Sequence, residues 1–161
     1  MFNFKVIWLI VIVKLLFTTT FAADNYTCTI STNNAAFGTF NPLNYTSKTI
    51  SVAFSVRCSA LLPTAVSGTI TFSYGNANSF TRIMKSGTYP LSYNIYKDSG
   101  CTQILGDGTG GTYTFAVTGN INAGSNNAMT ASGVLYGRIP SQPNSYTGNF
   151  SDNVTMTLTY Q

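Results

Sequence analysis

From Thr49 to Cys58 the chain alternates without a break: Ile50, Val52, Phe54, Val56 and Cys58 fall on one side, and the small or polar residues Ser51, Ala53, Ser55 and Arg57 on the other. A period of two sends successive side chains to opposite faces, so this segment predicts a strand with one buried and one wet face. Shorter runs rich in β-branched and aromatic residues predict further strands at Tyr26 to Ser31, Gly68 to Tyr74, Leu91 to Lys97, Thr112 to Thr118, Gly133 to Ile139 and Asn153 to Tyr160. Gly75-Asn76-Ala77-Asn78 and the stretch Gly106 to Gly111 read as connecting turns. No segment has a convincing helical period. The spacing of strands and turns is that of an all-β antiparallel sandwich. No repeat or linker divides the chain, and 161 residues fit one domain.

The amino terminus follows a different pattern. Lys5 precedes the apolar run Val6 to Val13, Lys14 interrupts it, and Leu15 to Phe17 resume it ahead of Thr18 to Ala23. A membrane-spanning helix needs about 20 mostly apolar residues, and this run is shorter and carries a lysine. It reads as a secretory leader over residues 1–22, cleaved after Ala22 or Ala23, with the mature domain over 23–161; an uncleaved anchor is the disfavoured alternative. No stable membrane insertion is expected after cleavage.

Charge and composition then narrow the function. The formal balance is +4, but eight Lys and Arg less Lys5 and Lys14 leaves six against four Asp, or +2. The remaining basic residues are scattered, whereas nucleic-acid binding needs a basic stripe, so no nucleic-acid partner is expected. Hydrophobic residues make up 44% and aromatics 14%, too many for a disordered chain. There is no His and no Glu, so no Ser/His or Cys/His pair exists and the carboxylates are limited to Asp24, Asp98, Asp107 and Asp152. A catalytic role is therefore not expected.

The remaining candidate chemistry is weak. Gly106 to Gly111 resembles a phosphate-cradling loop only in its glycines; it lacks the Lys-Ser/Thr ending and opens no helix, so a turn explains it better. Asp107 and Asp152 as a carboxylate pair or calcium site would need more oxygen ligands close by. No cofactor and no metal are expected. The glycosylation sequons at Asn25, Asn44, Asn149 and Asn153 are of the kind that arise by chance in a chain rich in Asn, Ser and Thr.

Export places Cys28, Cys58 and Cys101 in an oxidising compartment, with one disulfide and one odd thiol. Three pairings are open. Cys28 with Cys58 is favoured because each lies near the end of a predicted strand; Cys101 sits in the turn-like Asp98-Ser99-Gly100-Cys101 and is either free or paired between molecules. At the carboxyl end Val154, Met156, Leu158 and Tyr160 alternate with Asn153, Thr155, Thr157 and Thr159. This pattern fits either a normal closing strand or a strand flanking an unfinished sheet, whose open edge is a liability unless another chain pairs with it.

Several segments together resemble the spore coat protein U family, the domain of archaic chaperone-usher pilus subunits. They are Cys28-Thr29-Ile30-Ser31 leading to Phe37-Gly38-Thr39-Phe40-Asn41-Pro42, Ile50 through Cys58, Arg82-Ile83-Met84, Leu91 through Asp98, Leu105-Gly106-Asp107-Gly108, Tyr136-Gly137-Arg138-Ile139-Pro140, and Gly148 with Asp152 through Tyr160. The ending is also similar to that of chaperone-usher pilins, with Gly148 fourteenth from the end and Tyr160 penultimate.

The resemblance implies an immunoglobulin-like antiparallel β-sandwich that is incomplete, lacking its final strand and completed by donor-strand complementation. A periplasmic chaperone first lends a strand; a sibling subunit, or another copy, then replaces it at an outer-membrane usher. Val154, Met156, Leu158 and Tyr160 would line or support the acceptor groove, with Gly148 at the same subunit interface, and Cys28 and Cys58 match the family's disulfide.

Family subunits that polymerise carry a donor segment of about ten or more residues before the first cysteine, long enough for a strand. With the leader removed, at most Ala23 to Thr27 precede Cys28. The expectation is a structural subunit of a pilus or fimbria that accepts a strand and is poorly equipped to donate one. It would pass through the periplasm to the cell surface and support adhesion and biofilm formation. The alternatives are a minor or tip adhesin subunit, or a secreted spore or cell-coat protein assembled without an usher.

Overall fold

A computed structural model describes residues 26–122, 124 and 126–160. The leader expected over residues 1–22 and its cleavage lie outside the described residues. Eight strands form in chain order: β1 (Tyr26–Thr32), β2 (Lys48–Ala60), β3 (Thr64–Phe72), β4 (Arg82–Ser86), β5 (Tyr89–Tyr96), β6 (Phe115–Ile121), β7 (Ala128–Ile139) and β8 (Met156–Tyr160). They make a five-stranded sheet in the order β1-β2-β7-β5-β4 and a three-stranded sheet in the order β6-β3-β8, with every strand pair antiparallel. The all-β immunoglobulin-like sandwich is thus the observed architecture. No helix among the described residues is long and apolar enough to cross a membrane.

The alternation in β2 works as its period requires. Val52, Phe54, Val56 and Cys58 are buried against the small sheet, where Val66, Ile70 and Phe72 of β3 and Val117 and Ile121 of β6 meet them. Each such side chain contributes about 1.5–3 kcal/mol through apolar burial. Leu91, Tyr93 and Ile95 of β5 and Leu135 and Ile139 of β7 extend the same core.

Strand boundaries depart from the predicted ones where alternation is disguised. β4 was not predicted as a strand because one of its two buried residues is a charged one, Arg82, beside Met84. At the carboxyl end a strand was expected from Asn153, yet β8 begins at Met156. The cause is a change of sheet. Ser151 exchanges backbone hydrogen bonds with Lys85 of β4 at 2.9 and 3.0 Å, and by Met156 the chain is paired with Phe72 of β3. Between these points the Thr155 amide donates to the Ser73 hydroxyl (2.9 Å) instead of to a ladder carbonyl.

Candidate functional site: a cleft between the two sheets

β1 and β8 are edge strands of opposite sheets, and their inner faces are incompletely covered. β8 continues the core pattern with Met156, Leu158 and Tyr160, but all three are only half-buried, whereas Ile70 and Phe72 beside them in β3 are 0% and 2% exposed. On β1, Cys28 and Ile30 are likewise half-buried. The two edges meet at one end. There the Tyr160 ring packs on Tyr26 at 5.2 Å between centroids, and the Cys28 amide donates to the Tyr160 hydroxyl (3.5 Å). The Tyr26 hydroxyl donates to the Ser67 carbonyl (3.1 Å) and accepts from its amide (3.3 Å), tying β1 to β3 across the sandwich.

Toward the other end the sheets gape. A cleft of about 500 Å³ opens there. Its floor is made by inward residues of both sheets, among them Val52, Met84, Tyr93, Ile95, Leu135 and Phe72. One wall is the chain leaving β1, from Thr32 to Phe37, and the other is the approach to β8, from Phe150 to Met156.

One polar cluster stands at this cleft. The Tyr93 hydroxyl donates to Asp152 Oδ2 (2.6 Å), and the Asn76 amide donates to Asp152 Oδ1 (2.7 Å). Burial, followed by the bond to Asp152, pushes the Tyr93 hydroxyl far above its ordinary pKa of 10.0, so Tyr93 stays a neutral donor. Behind it Arg82, 0% exposed, gives its guanidinium to the Ser73 carbonyl and to Asn94 Oδ1. The group can hold the turn around Asn76 against the chain at Asp152.

Of the acceptor-groove residues named from the sequence, Val154 and Met156 line the cleft. Leu158, opposite Ile70, and Tyr160 pack along the core toward the closed end. Gly148 lies against β4, where a Cβ would come within 2.5 Å of Ser86 Oγ. Cys28 and Cys58 are disulfide-bonded across directly opposed positions of β1 and β2. Cys101 is a free, half-exposed thiol, its pKa raised chiefly by burial.

Asp107 and Asp152 are not brought together at the cleft, which Asp152 lines and Asp107 does not. The Asp107 carboxylate accepts from the Thr109 hydroxyl (2.7 Å) and amide (2.9 Å) in its own turn, and these bonds hold its pKa below the ordinary aspartate value. Among the described residues no group of three or more His, Cys, Asp or Glu side chains is placed to hold a metal ion.

Sequence reasoning did not single out Phe37, Tyr93 or Leu135 as cleft residues. The inward phase of Leu91-Tyr93-Ile95 marks Tyr93 as core, but periodicity says nothing about Phe37, which lies in no strand.

A crystal structure of the CsuC-CsuE chaperone-tip adhesion subunit pre-assembly complex, from archaic chaperone-usher Csu pili of Acinetobacter baumannii, contains a similar fold. The likeness has a TM-score of 0.50 and 18% sequence identity, and covers 83% of this chain and 39% of the other, so this chain spans well under half of that one. No curated protein matches the chain. The Spore Coat Protein U domain model matches residues 14–157, nearly the whole length, and the chain belongs to that family.

Proposed function

We propose that this chain is a non-catalytic structural subunit of a surface pilus, completed by a β-strand supplied from outside. A periplasmic chaperone lends the strand first, and a neighbouring subunit replaces it during assembly at an outer-membrane usher. The observation that carries this reading is the half-burial of Met156, Leu158 and Tyr160 in an edge strand bordering an open cleft. A strand laid beside β8 would satisfy its outer backbone groups and drop alternate apolar side chains onto the floor of the cleft, as in β-strand addition. The family and the fold support the same reading. Export through the leader, display at the cell surface, and adhesion and biofilm formation follow as the biological role.

The energetics are favourable in kind. Each ladder hydrogen bond adds about 0.5–1.5 kcal/mol net and each buried apolar side chain about 1.5–3 kcal/mol, offset by the cost of ordering the donor. A synthetic peptide of alternating valine and threonine, added in excess to the purified mature chain, is expected to raise the melting temperature by roughly 5–10 °C. Met156→Asp, which puts a charge on the cleft wall, is expected to remove the gain. A wild-type melting curve unmoved by the peptide would overturn the acceptor role.

A further inference from the structure

β1 stops pairing at Thr32, opposite Phe54, while β2 continues back to Lys48. The chain from Asn33 to Phe40 therefore leaves the sheet, and none of its backbone groups hydrogen-bonds to other backbone among the described residues. Lys48 Nζ holds the Thr39 carbonyl at 3.0 Å, and the Phe37 and Phe40 side chains pack against the core.

Phe37 enters the cleft. Its ring meets Tyr93 edge-on, with centroids 6.0 Å apart and an interplanar angle of 79°. It rests over Gly137 of β7, where a Cβ would lie 2.7 Å from Phe37 Cζ, so the seat exists because residue 137 has no side chain. Val154 and Met156 face the same cleft from the opposite wall. Side chains of a strand added beside β8 would land on this floor.

Resting on the acceptor reading above, we propose that Phe37 is the chain's own occupant of the donor's place: the Asn33 to Phe40 segment seats its ring in the cleft of the free protein, and an incoming strand lifts it out. Exchange is cheap for the backbone, because no ladder bond anchors the segment. What is lost is one ring's contact with Tyr93 and Gly137; what replaces it is a paired strand with several side chains. The device covers part of the apolar floor until a donor arrives and makes every donor compete with one aromatic ring.

These contacts belong to the free state alone, so removing them destabilises only that state. Phe37→Ala is expected to bind the alternating valine-threonine peptide about tenfold more tightly than wild type, by isothermal titration. Phe40→Ala, whose ring packs on the core but does not line the cleft, is the control and is expected to leave the affinity within about twofold. In NMR spectra of the wild-type protein, cross-peaks between the Phe37 and Tyr93 rings are expected in the free form and absent at peptide saturation. Cross-peaks that persist in the saturated complex, or equal affinities for wild type and Phe37→Ala, would overturn the plug and leave the acceptor role standing. Failure of wild type and both variants to bind would bring down the acceptor role and the plug with it.

Discussion

Arg82 carries its charge to zero exposure and spends it on neutral oxygens. Nε and Nη2 donate to the Ser73 carbonyl at 3.0 and 2.7 Å, Nη1 donates to Asn94 Oδ1 at 2.8 Å, and the guanidinium lies 5.3 Å from the Phe80 ring centroid. Burial lowers its pKa, and the nearby Tyr93 and Asp152 oppose that effect. Only a planar fork can serve both acceptors at once. Arg82→Lys keeps the charge but reaches one oxygen at best, leaving a buried acceptor without a donor. It is expected to lower unfolding free energy by about 2–3 kcal/mol in urea denaturation, and a loss below about 0.5 kcal/mol would show that the fork is dispensable. The sequence concealed this role, because a charged side chain does not mark a buried position. Its burial becomes visible only when Ser73 and Asn94, from other elements, surround it.

The element most exposed to change is β1. It is an edge strand of seven residues, pinned to β2 by the register from Tyr26 opposite Ala60 to Thr32 opposite Phe54 and by the Cys28–Cys58 bond within it. That bond closes a sequence separation of 30, which in the chain-entropy model stabilises the fold by about 3–4 kcal/mol. The double substitution Cys28→Ser with Cys58→Ser is expected to lower the unfolding free energy by that amount in urea denaturation, with a steeper slope because the denatured chain without its cross-link exposes more surface; a cost under about 1 kcal/mol would assign β1's attachment to ladder and packing alone. Alternation made β2 and the carboxyl-terminal strand legible in the sequence. The late start of β8 was not legible, because the Ser151 bridge to β4 that delays it joins segments far apart in the chain.

The whole molecule combines a closed end, where Tyr160 covers Tyr26, with a gaping end where neither sheet covers the other. The outer edges of β1 and β8 are templates for pairing, and a chain with 7% charged residues has few side chains to guard them. Purified protein spanning residues 23–161 is therefore expected to form oligomers that grow with concentration in analytical ultracentrifugation and shrink when the valine-threonine peptide is added. A monomer at every concentration, with or without peptide, would count against open, pairing-competent edges.

Local pattern settled a good deal without reference to long-range contacts. The alternation of Thr49 to Cys58, the turn glycines and the spacing of strands point to an all-β sandwich, since strand period and turn chemistry are properties of neighbouring residues. The cleft is of another kind. Whether Val154 and Met156 meet cover or open space depends on where β1 leaves its sheet and where the chain between Ser151 and Met156 crosses to the other. Whether Phe37 fills that space depends on Gly137, a hundred residues later in the chain. These are matters of how two sheets close on each other, and no run of neighbouring residues encodes them.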